Sequence, residues 1–137
     1  MSNTYIPQKL RDQVHKRAKG KCEYCLIPQA FSYAPYPIDH IIAQKHGGET
    51  ILTNLALSCT LCNQNKSSDI ASIDPNTQSI TPLYNPRQNS WHDHFQLTKQ
   101  GVITPLTPKG RATTNLLKLN QPFRIKERQA LILMGIL

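Results

Sequence analysis

Apolar residues recur at i, i+4 and i+8 near the start of the chain, where Leu10, Val14 and Ala18 line one side of an otherwise polar segment. That period predicts a helix from about Pro7 to Lys19, with proline suited to the first helical position and Gly20 as the stop. The stretch PQAFSYAPYP excludes a regular helix between Pro28 and Pro37. Pro37 to Ile42 is apolar and β-branched and predicts a strand, Gly47-Gly48 a turn, and Ile51 the start of the return. From about Thr53, the positions of Leu55, Leu57 and Leu61 predict a helix that ends around Lys66–Ser68.

Asp74 to Arg87, rich in Pro, Asn, Ser and Thr, predicts a connecting loop. Trp91–Leu97 and Val102–Leu106 predict short strands around Lys99-Gln100-Gly101. Thr107-Pro108, an N-cap followed by proline at the first helical position, opens a helix to about Leu119. Pro122 opens a last helix, with a partly apolar face at Ile125, Gln129, Ile132 and Leu133. The pattern is that of an α+β chain: a core at residues 1–74 and a small mixed extension at 75–137 with two short strands and two helices.

Composition narrows the class. No stretch is long and apolar enough to span a bilayer, and MSNTYIPQKLRDQVHKR has no apolar signal region, so the expected location is cytoplasmic. Sixteen Lys+Arg against 8 Asp+Glu give a formal charge of +8, a balance that attracts a polyanion such as nucleic acid. The basic face of the first helix, with Lys9, Arg11, Lys16, Arg17 and Lys19, serves either solvent or phosphate.

Four cysteines can be disulfides, metal ligands or buried apolar groups. A reducing compartment disfavours disulfides. The cysteines fall as two CxxC pairs, Cys22/Cys25 and Cys59/Cys62. Each pair lets two thiolates converge on one ion, and four make a tetrahedral zinc site. A redox pair or plain core cysteines are the other readings. The gap between the pairs exceeds the usual zinc-ribbon spacing and predicts an inserted hairpin.

Between and just after the pairs lie Asp39-His40, Asn54 and Asn63. A hairpin followed by a helix lets Asp39 and Asn63 approach each other, with His40 facing the same pocket. A carboxylate and an amide oxygen are hard ligands suited to Mg²⁺ or Mn²⁺, and a neutral histidine near such an ion can deprotonate water. Taken singly, an Asp-His pair is an ordinary turn pair and an Asn before a helix an ordinary cap.

The set Asp39-His40-Ile41, Gly47-Gly48, Asn54-Leu55 and Cys59-x-x-Cys62-Asn63-x-x-Lys66 resembles the zinc-bearing, four-cysteine branch of the HNH endonuclease family, over roughly residues 20 to 68. The resemblance implies a ββα-metal fold, of the His-Me finger, treble-clef-like type, scaffolded by zinc on Cys22, Cys25, Cys59 and Cys62. It implies His40 as the general base, Asp39 and Asn63 as holders of a catalytic Mg²⁺ or Mn²⁺, and Asn54 as a brace for the loop carrying His40. The third signature position, often His in the family, is Asn63 here. Where the family often has Pro after Asp-His-Ile, this chain has Ala43-Gln44-Lys45. DNA is the implied partner; the alternative is a non-catalytic zinc module that binds nucleic acid or protein.

Four further residues are candidate phosphate or DNA contacts. Lys66 is either that or a solvated helix end, and His46 sits at the turn. Asn85-Pro86-Arg87 with Trp91-His92-Asp93-His94-Phe95 resembles a block downstream of the motif in a bacterial subset of the family. It offers Arg87 as a phosphate clamp and His94 near the metal site, or else Trp91 and Phe95 as core anchors beside ordinary polar residues.

Overall fold

Val14, fully buried, anchors the first helix, α1 (Gln8–Arg17), and left-handed backbone at Lys19 and Gly20 ends it. The computed structural model describes residues 5–137. In chain order the further elements are β1 (Ile38–His40), β2 (Leu55–Leu57), α2 (Thr60–Lys66), β3 (Ala71–Ile73), β4 (Ile80–Pro82), α3 (Trp91–His94), β5 (Phe95–Leu97), β6 (Ile103–Pro105), α4 (Pro108–Leu117) and α5 (Pro122–Leu133). The chain is mixed α+β and forms two compact units that interleave in sequence. The first runs to Ile70 and takes in Asn85–Gln88; the second comprises Ala71–Tyr84 and Asn89–Leu137. Among the described residues, no helix is long and apolar enough to cross a membrane.

In the first unit β1 and β2 pair antiparallel, with Ile38 opposite Leu57, Asp39 opposite Ala56 and His40 opposite Leu55. α1 packs on β2, and all three residues of β2 are fully buried. A two-stranded sheet buried in this way leaves β2 with backbone groups that water cannot reach, so side chains must satisfy them. The Glu23 carboxylate accepts from the Leu57 amide at 2.7 Å, and the Glu23 amide donates to the Leu57 carbonyl at 2.9 Å. Arg17 and Arg87 both donate to the Leu55 carbonyl.

The helix expected from Thr53 starts later. Leu55 and Leu57 share a strand period, and the helix begins only at Thr60, where the Cys59 sulfur caps it by accepting from the Cys62 amide.

The second unit holds the hairpins β3–β4 and β5–β6, with α4 packed on β3, β4 and β6. The expected loop at 74–87 therefore contains part of a hairpin. Its strands are three residues long and β4 ends on a proline, so turn residues dominate the composition. Asp74, fully buried, organises the turn by accepting from the Asn76 amide and the Thr77 hydroxyl, both at 3.0 Å. Both its oxygens also accept from Arg111 of α4, at 2.9 Å each.

Residues 91–94 form one helical turn rather than the start of a strand. Trp91 and Phe95 are core anchors, with ring centroids 5.1 Å apart and Tyr84 edge-on to Phe95 at 5.3 Å. Thr107 caps α4 as its sequence implies, its hydroxyl oxygen accepting from the Gly110 amide at 3.0 Å.

The inner face of α5 differs from the apolar stripe read above. It buries Arg124, Arg128 and Leu131, while Leu133 is 85% exposed. Arg124 donates to the Leu117 carbonyl at 2.9 Å and Arg128 to the Leu119 carbonyl at 2.6 Å, so two cations of α5 satisfy carbonyls at the end of α4 and just beyond it.

Candidate active site and metal centre

The two CxxC pairs fold into knuckles in which the first sulfur of each accepts from the amide three residues on: Cys25 to Cys22 and Cys62 to Cys59, both at 3.4 Å. All four cysteines are free thiols, buried, with sulfurs within 4.8 Å of one another. Cys25 and Cys59 sulfurs lie 3.7 Å apart. A tetrahedron with zinc–sulfur bonds of about 2.3 Å has an edge of about 3.8 Å, so the cluster fits an ion of that size. Burial pushes the Cys22 and Cys62 thiols well up, while hydrogen bonding with Cys22 pulls Cys59 down. A bound cation would relieve the cost of charging sulfurs in this apolar place.

Asp39 and His40 close β1, and both are buried. The Asp39 carboxylate accepts from the Tyr24 hydroxyl at 2.9 Å and forms an ion pair with Lys66 at 3.1 Å. Lys66 corrects the expectation of a phosphate contact or a solvated helix end. It is 2% exposed, and its ammonium also donates to the carbonyls of His40 at 3.3 Å and Ile41 at 3.0 Å. The site thus contains an oxygen cage with a cation already in it. Burial raises the Asp39 carboxyl above its ordinary value, with Lys66 and Tyr24 pulling against it. Burial lowers His40 below the usual histidine value, opposed by Asp39 and helped by Lys66.

Asn54 uses both ends of its amide on the segment after His40. Its oxygen accepts from the Ile42 amide at 2.9 Å, and its nitrogen donates to the carbonyls of Ile42 at 2.9 Å and Glu49 at 2.8 Å. Loop 42–49 is thereby tied back on itself. Gly48 makes room for the clamp: a Cβ there would lie 1.7 Å from the Ile42 carbonyl oxygen. Beyond the clamp, the Thr50 hydroxyl lies 2.9 Å from His40 Nε2.

Asn63 is half-buried on α2, directly after Cys62 and one turn before Lys66, so helix spacing puts Asn63 and Lys66 on neighbouring positions of one face. Asp39 and Asn63 each offer an oxygen of the hard kind that Mg²⁺ or Mn²⁺ takes, and Lys66 sits against both carboxylate oxygens of Asp39, at 3.1 and 3.4 Å.

The remaining candidates are dispersed. His46 is exposed in a single 3₁₀ turn, Gln44–His46. Arg87, read as a phosphate clamp, pairs with Glu23 and the Leu55 carbonyl in the first unit. His94 belongs to the second unit, where its Nδ1 lies 2.7 Å from the Thr107 hydroxyl. Tyr24 and Thr50 were missed because a tyrosine inside a knuckle and a threonine after a turn carry no signal of their own. Only the partner across the fold gives them a role.

Residues 22–69 match the family model described as HNH endonuclease. Comparison with curated proteins and with solved structures gives no match. The matched segment carries the cysteine cluster, Asp39, His40, Asn54 and Asn63, and over it the chain is similar to HNH endonucleases.

Proposed function

We propose that this chain is a metal-dependent endonuclease that hydrolyses DNA phosphodiester bonds, with zinc on Cys22, Cys25, Cys59 and Cys62 as scaffold. The observation that carries the reading is His40: a buried imidazole on a short strand, next to a buried carboxylate, with the following loop clamped by Asn54. A zinc scaffold alone has no need of that arrangement. β1, β2 and α2 follow one another as a ββα-metal unit requires.

In this reading His40 takes a proton from water as its oxygen bonds to phosphorus, and the bond to the 3′-oxygen breaks to leave a 5′-phosphate. Magnesium or manganese, held by Asp39 and Asn63, would supply electrophilic stabilisation of the charge on the phosphate and the leaving oxygen. Asn54 holds the loop that follows the base. Lys66 offsets the Asp39 charge before any metal arrives. Exposed His46 is a candidate DNA contact, and the net charge of +8 favours a polyanion.

The second reading, a non-catalytic zinc module binding nucleic acid or protein, draws on the Asp39–Lys66 pair, which gives the carboxylate a structural partner. Supercoiled plasmid with protein and Mg²⁺ or Mn²⁺ separates the two. Conversion to nicked or linear DNA, abolished by EDTA and reduced about 10²–10⁴-fold in His40→Ala, is the expected result. Binding without cleavage, or undiminished nicking by His40→Ala, overturns the assignment.

A further inference from the structure

We propose that Thr50 is a positioning residue that fixes His40 in the tautomer with hydrogen on Nε2, leaving Nδ1 to take the proton from water; this rests on the nuclease reading above. The Thr50 hydroxyl lies 2.9 Å from His40 Nε2, so that nitrogen is occupied. An imidazole has two nitrogens, and in the neutral ring one donates while the other accepts. With Nε2 engaged, only Nδ1 can accept the proton. It presents a lone pair only when Nε2 carries the hydrogen, with Thr50 Oγ1 as the acceptor.

The loop is built to deliver that hydroxyl. Asn54 Nδ2 grips the Glu49 carbonyl at 2.8 Å, one residue before Thr50. Gly48 passes so close to the Ile42 carbonyl that no side chain fits there, and Gly47 takes a left-handed conformation with φ of 89°. Threonine branches at Cβ, which restricts the torsion that aims Oγ1. Asp39, by contrast, is turned to Tyr24 and Lys66. The ring is therefore oriented at Nε2 by a neutral group.

The test uses the full zinc-loaded chain with Thr50→Val, close in shape but with no acceptor, and Thr50→Ser, which keeps one. At saturating plasmid, Thr50→Val should lower kcat about 10- to 100-fold with KM unchanged, and Thr50→Ser should restore most of it. Long-range ¹H–¹⁵N spectra of the histidine rings, with His40→Ala to assign the signal, read the tautomer without any turnover. The wild type should show hydrogen on Nε2, and Thr50→Val a mixture. A wild-type ring with hydrogen on Nδ1, or wild-type kcat in Thr50→Val, overturns the inference while leaving the nuclease reading intact. Undiminished nicking by His40→Ala overturns the nuclease reading itself. If Thr50→Val fails to fold, the wild-type tautomer and the kcat of Thr50→Ser decide alone.

Discussion

Lys66 shows how one side chain can carry a site without touching substrate. Its ammonium lies among an Asp39 carboxylate and two backbone carbonyls, almost without water. A buried pair gains little over two apolar groups, but removing one partner strands the other charge. Lys66→Met should therefore destabilise the chain by about 3–5 kcal/mol. Adding Asp39→Asn should recover part of that loss, since two residues in contact couple. Thermal unfolding of both single variants and the double variant measures this; additive losses would mean that the pair does not act as one unit. The sequence placed Lys66 correctly on its helix and misread its surroundings. A lysine three residues after Asn63 looks solvated until β1 is laid beside it.

Elements in the second unit are tied by polar groups whose charge depends on pH. Hydrogen bonds from Arg111 hold the Asp74 carboxyl well below the usual carboxylate range, with the Asn76 amide and Thr77 hydroxyl adding to the effect. A depressed carboxyl stabilises fully above its unfolded value, and the contribution fades as pH falls below it. His94 works in a higher window. Burial, then Lys109, lower its affinity for a proton, so the unfolded chain protonates first as pH drops through about 6.5 and stability falls. Its partner Thr107 already accepts from Gly110, which leaves the hydroxyl hydrogen for Nδ1 of a neutral ring. Thermal midpoints taken from about pH 8 to about pH 3 should decline in two stages, and His94→Asn should shrink the upper one. An unchanged upper stage would show that His94 does not set it. At this scale the sequence was most legible where signals are local: Thr107-Pro108 opens α4 as read. It was least legible for β3 and β4, which are too short to show alternation, and for α5, where Ile125, Gln129, Ile132 and Leu133 read as the apolar face and Arg124 and Arg128 are buried instead. Their partners are the carbonyls of Leu117 and Leu119.

For the molecule as a whole, the four-sulfur cluster joins segments 34 residues apart, at Cys25 and Cys59, and its first sulfurs cap the turns that carry the second. Metal removal should therefore unfold the first unit rather than merely silence it, because ligand binding and folding are one free energy. Chelation followed by circular dichroism and proton NMR should show loss of dispersed signals that zinc restores. A folded, zinc-free chain would mean that the cysteines serve only as core. The first unit also relies on a late segment: Arg87, 64 residues after Glu23, satisfies the outer edge of β2 together with Arg17.

The cysteine cluster was legible in the sequence itself, because each CxxC pair lets two sulfurs converge and the fold brings the two pairs together. The starts of α4 and α5 followed from residues within one turn of each other, Thr107-Pro108 and Gln121-Pro122. The tertiary structure alone decided which charges face water and which face each other. Lys66 meets Asp39, Arg87 meets Glu23 and Thr50 meets His40 through contacts between residues well separated along the chain. Burial makes those partners obligatory, and no local pattern encodes it.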